Sequence, residues 1–99
     1  MIIVGGTFEL DPALREAFLA GRLEMMRASR AEPGCLEYTF SADPVEPTRV
    51  LLFERWESQE ALDRHLAGLK GKPRPDPDIT PASASIVMYD VAAERSFGR

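Results

Sequence analysis

A single cysteine, Cys35, leaves this chain unable to form an internal disulfide, and a reducing cytoplasm is the expected compartment. One cysteine and one histidine, His65, cannot between them close a zinc site, so no metal is expected. Positive charge is not in excess: 12 Lys and Arg stand against 16 Asp and Glu, a net charge of -4. That balance excludes the basic patch that phosphate contacts need, and it disfavours an anionic membrane surface. No apolar run approaches the ~18 residues of a membrane-spanning helix. The opening segment, Met1 to Gly6, lacks the basic start and long apolar stretch of a signal peptide. With 99 residues there is room for one core and not two. A single domain is expected over residues 1–92, with a tail at 93–99.

What is present is punctuated clearly. "IIVGGTFEL" reads as a strand whose glycine pair marks a bulge or a close approach. Asp11 and Pro12 open a helix, since Asp caps free N–H groups and Pro suits the first helical position. Leu14, Phe18, Gly21, Met25 and Ala28 form its apolar stripe, with Arg15, Arg22 and Arg30 on the opposite face. Pro33-Gly34 has the order of a type II turn. "CLEYTFSA" alternates, with Leu36, Tyr38 and Phe40 on one face, and "RVLLFERW" follows closely enough to form an antiparallel hairpin. Ser58 caps a second helix with an apolar stripe of Leu62, His65, Leu66 and Leu69, ended by Gly71. Prolines at 73, 75, 77 and 81 then make an extended, mobile loop, a candidate lid near the pocket mouth. "ASIVMYDV" is the last strand.

The order βαββαβ predicts an α+β, ferredoxin-like fold: a four-stranded antiparallel sheet with two helices on one face. "IIV", "VLLF" and "IVM" are apolar at consecutive positions, so neither sheet face suits water. A second copy of the chain is the simplest cover for the open face, and a homodimer is expected.

The series Pro33-Gly34-Cys35, Tyr38, Glu54-Arg55-Trp56, Glu60-Ala61-Leu62 and His65 resembles the antibiotic biosynthesis monooxygenase family. The resemblance covers nearly the whole chain and is weakest in the proline-rich loop. It implies a dimeric α/β barrel and oxidation of quinols or polycyclic phenols by molecular oxygen as co-substrate. It implies no metal, haem or flavin cofactor. Loss of a proton makes such a phenol an anion able to reduce oxygen by one electron, so the substrate takes the cofactor's part. The protein supplies a greasy pocket, a proton acceptor and polar groups that favour the anion. Haem degradation in related proteins uses an Asn on the first strand, and this chain contains no Asn, with Gly6 near that place.

His65 and Trp56 are the candidate catalytic residues, with Tyr38, Phe40, Phe18 and Glu54 as substrate-binding residues. Each also has a purely structural reading. A lone histidine on an apolar stripe is often a core residue with one hydrogen bond, and Trp56 at a strand end suits hinge packing as well as stacking. Glu54 is a possible base, but is more simply paired with an arginine such as Arg49. Tyr89 is a weaker candidate, and Cys35 reads as structural. Two other classes stand beside the enzyme: a regulatory small-molecule-binding module and a non-catalytic dimer.

Overall fold

A computed structural model of the protein describes residues 1–98. The strands are β1 (Ile2–Glu9), β2 (Cys35–Ala42), β3 (Arg49–Trp56) and β4 (Ser83–Asp90). The helices are α1 (Arg15–Ala20), α2 (Leu23–Arg30) and α3 (Gln59–Leu69), with a short 3-10 turn at Pro12–Leu14 ahead of α1. All strand pairs are antiparallel and the sheet order is β2-β3-β1-β4. Among the described residues, no helix is long and apolar enough to cross a membrane.

Strand parity sorts the side chains. Val50, Leu52, Glu54 and Trp56 of β3 are buried on the helix side, and Phe53 is exposed on the other. In β1, Ile2 and Val4 join them. Phe18 of α1, Met26 of α2, and Ala61 and Leu62 of α3 close the core from above. β1 keeps its register without a bulge, and the close approach falls at Gly6 alone, since a Cβ on Gly5 would meet only Tyr89 Cε2 at 3.6 Å. A Cβ on Gly6 would lie 3.1 Å from the Ser85 carbonyl oxygen and 3.3 Å from Ile86 Cγ1 on β4.

Three local expectations fail. The first helix is not continuous but breaks at Gly21–Arg22, where the Arg22 N–H bonds the Leu19 carbonyl and tightens the turn. The buried stripe is therefore Phe18, Arg22, Met26 and Ser29, while Leu14, Gly21 and Ala28 are exposed. Arg22 thus lies inside rather than on the outer face. In β2, an irregularity between Cys35 and Glu37 spends Leu36 on an unpaired position. Leu36 is exposed as a result, whereas Tyr38 and Phe40 point into the core.

α3 begins as its sequence indicates, with Ser58 Oγ accepting from the Ala61 N–H at 3.1 Å. The segment between Leu69 and Ser83 has no regular structure, but it is anchored. Asp76 pairs with Arg22, Ile79 rests on the core, and the Ala82 N–H bonds the Glu9 carbonyl.

The sheet face away from the helices carries Ile3, Leu51, Phe53, Val87 and Tyr89, none of them fully buried. β4 is exposed along its whole length.

Gly34 makes the turn before β2 at φ +85°, and a Cβ there would come within 2.5 Å of the Ala61 Cβ. That turn fixes where α3 lies against the start of β2, and its carbonyl receives the Glu57 N–H. Gly34→Ala combines a left-handed backbone with a clash against α3, and should cost about 1–3 kcal/mol or more of stability. Urea unfolding checks this; a midpoint equal to that of the wild type would contradict the geometry.

Candidate active site

Between the sheet and the helices lies a cavity of about 400 Å³. All four strands contribute to its floor: Val4 and Phe8, Tyr38 and Phe40, Leu52 and Glu54, and Ile86 and Met88. The helical side supplies Arg22, Met25, Leu62, His65, Leu66 and Leu69. Leu66 and Met88 are about half exposed, at 49% and 48%, which places them at the mouth. Most of the lining is apolar; the residues in it with polar side-chain groups are Arg22, Tyr38, Glu54 and His65.

His65 is held at the inner face of α3. Its ring lies 4.7 Å from the Trp56 ring and 5.3 Å from the Tyr38 ring, centroid to centroid. Its Nδ1 stands 2.9 Å from Glu32 Oε2. A carboxylate at that distance accepts a hydrogen bond, so Nδ1 carries the proton in the neutral ring. The other nitrogen, Nε2, has no hydrogen-bond partner among the described residues, yet no fully buried side-chain nitrogen or oxygen lacks one. Nε2 therefore reaches open space, and the cavity that His65 lines provides it. The arrangement is a carboxylate-supported imidazole with its basic nitrogen turned to an apolar chamber.

Among the described residues, Glu54 pairs with neither Arg49 nor any other arginine. Arg49 binds Glu9 and Asp43, and Glu54 Oε1 accepts from Trp56 Nε1 at 2.9 Å. Burial pushes the Glu54 carboxyl above the ordinary range, against the pull of the Trp56 bond and of His65. Burial also raises the Tyr38 phenol, with nearby Glu54 adding to the effect. The Tyr38 hydroxyl lies 3.4 Å from Met25 Sδ. Arg22 is stacked on Phe18, its guanidinium carbon 3.4 Å from the ring centroid. Burial lowers the Arg22 guanidinium and Asp76 opposes that shift. Cys35 is half-buried, with its thiol pushed up by burial and then by Glu32, which keeps it in the inert thiol form. Among the described residues, no three His, Cys, Asp or Glu side chains gather in a way that could hold a metal ion.

Of the residues picked from sequence, His65, Tyr38, Phe40 and Glu54 lie on the cavity wall. Trp56 and Phe18 do not: both are fully buried behind it, Trp56 backing His65 and Phe18 backing Arg22. Tyr89 points to the opposite sheet face. Two polar residues were missed. Arg22 had a legible signal, because Phe18, Arg22 and Met26 are spaced four apart and share a helical face. Glu32 had none: it sits in an irregular turn, and nothing local distinguishes it from the other acidic residues.

The fold and this chamber define a small α+β protein built around an aromatic-walled pocket with a supported histidine. Comparison with known proteins makes the class definite. Residues 1–69 match the family "Antibiotic biosynthesis monooxygenase", and the chain belongs to that family. A solved antibiotic biosynthesis monooxygenase is 26% identical, with a TM-score of 0.76 over 94% of this chain and 100% of its own. A protein of Mycobacterium tuberculosis is also 26% identical, with a TM-score of 0.73 over 96% and 98% of the two chains. An uncharacterised protein of Synechocystis sp. is 33% identical over 92% of this chain; the chain spans only 63% of that relative's length.

Glu54 supplies a test of the site's electrostatics. Its folded pKa is raised above the ordinary 4.5, so its contribution to stability is greatest below that value. It falls as pH climbs from there through the folded pKa, because the buried group must then ionise. Glu54→Gln keeps an acceptor for Trp56 Nε1 and removes the ionisation. The melting temperature of the variant relative to wild type should therefore rise between about pH 5 and about pH 8. A difference that stays flat or falls over that range would show that Glu54 is not a destabilised carboxyl.

Proposed function

We propose that the protein is a cofactor-independent monooxygenase that oxidises a quinol or polycyclic phenol with molecular oxygen. The observation that carries this reading is the supported imidazole: His65 Nδ1 held by Glu32 at 2.9 Å, on a residue that lines the apolar cavity. The step asked of the protein is proton transfer. The phenolic O–H bond breaks, its electron pair stays on oxygen, and the proton passes to Nε2. Glu32 stabilises the imidazolium that forms, as a carboxylate does in other supported histidines. The phenolate is then the reductant for oxygen. One oxygen atom enters the ring as a carbonyl and the other leaves as water, so a hydroxyarene and O₂ yield a quinone and water. The substrate supplies all the electrons, and no metal, haem or flavin is required.

A second copy of the chain is part of this proposal. The open sheet face exposes Phe53, Val87 and Tyr89, flanked by Ile3 and Leu51. An isologous sheet-on-sheet contact buries them and matches the two-sided apolar character of the strands. Light scattering at micromolar concentration should give twice the mass of one chain. Phe53→Glu should halve it, and a wild-type mass of one chain would rule the contact out.

Oxygen uptake with a panel of quinols and polycyclic phenols, run with catalase and with chelator, tests the chemistry. His65→Ala should lower turnover of an identified substrate by roughly 10²-fold or more while leaving the assembly intact. Glu32→Gln should lower it less, since the imidazole remains. Equal rates in wild type and His65→Ala would remove the histidine from the mechanism. Ligand binding without oxygen uptake across the panel would favour a non-catalytic binding protein instead.

A further inference from the structure

Among the described residues, Arg22 is the one Lys or Arg on the cavity wall, and its side chain is 10% exposed. Its contacts are lopsided. Nη1 alone makes every hydrogen bond: to the Phe18 carbonyl at 3.2 Å and to both oxygens of Asp76 at 3.0 and 2.9 Å. Nε and Nη2 have no hydrogen-bond partner among the described residues, although no fully buried side-chain nitrogen or oxygen there is left without one. Those two donors are therefore not sealed off, and the chamber is the cavity that Arg22 lines. They form the edge of a planar fork that suits a carboxylate, which accepts two parallel N–H bonds.

The position of the fork relative to His65 is equally telling. The rings of Phe40 and Tyr38 lie between them, forming a wall. Arg22 stands 5.4 Å from the Phe40 centroid, Phe40 and Tyr38 are 5.8 Å apart, and Tyr38 and His65 are 5.3 Å apart. A proton acceptor thus occupies one end of an aromatic wall and an unfilled two-donor edge the other. A fused-ring phenol with only its hydroxyl at His65 would leave buried N–H groups of Arg22 without an acceptor, which is costly.

We infer that the cavity selects a carboxylated polycyclic phenol, its hydroxyl at His65 and its carboxylate on the free edge of Arg22. This deepens the proposed function and rests on it. Asp76 holds the guanidinium in place from the proline-rich loop, and Phe18 supports it from below, so Arg22 is pre-organised as a positioning residue. The specificity comes from desolvation on binding: a neutral ligand that covers the fork removes water and returns no acceptor, whereas a carboxylate completes it.

Calorimetric titration with three probes of the same ring system tests this: 6-hydroxy-2-naphthoate, its methyl ester and 2-naphthol. The wild type should bind the acid about tenfold or more tightly than the naphthol, the worth of a charge-assisted hydrogen bond. The ester should behave like the naphthol, and this comparison needs no variant to fold. Arg22→Gln should bring acid and naphthol to within about twofold, and Arg22→Lys should retain part of the preference. Equal binding of acid and naphthol by the wild type, or a preference unchanged in Arg22→Gln, would overturn the assignment while leaving the cavity as the binding site. Binding of none of the probes by the wild type would overturn both this assignment and the cavity reading beneath it.

Discussion

The register of β3 between its neighbours is the constraint on which the rest depends. Leu52 lies opposite Gly6 on one side and Phe40 on the other, and Glu54 opposite Val4 and Tyr38. This places four successive inward side chains of β3 beneath the helices. A slip of one residue would send Glu54 and Trp56 to the open face and bring Phe53 and Arg55 inward. Arg55 is instead paired with Glu37 across the outer face, and Arg49 with Glu9, so the charges on the wrong face resist the slip. The floor of the chamber is thus set by strand pairing.

Two polar contacts then shape the chamber from its sides. Glu32 reaches from the turn before β2 to His65 on α3, and Asp76 reaches from the proline-rich loop to Arg22 at the start of α2. Each joins segments far apart in sequence, and each leaves one edge of its partner facing inward. A fully saturated polar group would be a structural strut; a half-saturated one can still engage a ligand. Apolar packing behind both groups, Trp56 for the imidazole and Phe18 for the guanidinium, fixes their orientation.

The strands were legible because their signals are local. Alternation marked Cys35–Ala42, an apolar run after a short loop marked Arg49–Trp56, and Ser58 marked the start of α3 through a single capping hydroxyl. The break at Gly21–Arg22 was not, since nothing as strong as a proline marks it, although the spacing of Phe18, Arg22 and Met26 did point Arg22 inward, where Asp76 and Phe18 hold it. Leu36 was misplaced because a bulge changes parity without changing composition. In the site, His65, Tyr38, Phe40 and Glu54 follow from the faces of their own elements, whereas Glu32 joins His65 through a contact between distant segments that no periodicity encodes.

Trp56 is the chain's only indole, and it is wholly enclosed. One face of its environment is the imidazole of His65 at 4.7 Å, and its N–H is tied to the Glu54 carboxyl. The residue is therefore a built-in optical probe. With no other indole in the chain, its emission should report on this one enclosed ring alone. A ligand that enters the chamber and disturbs His65 should therefore be visible by light in the unlabelled protein.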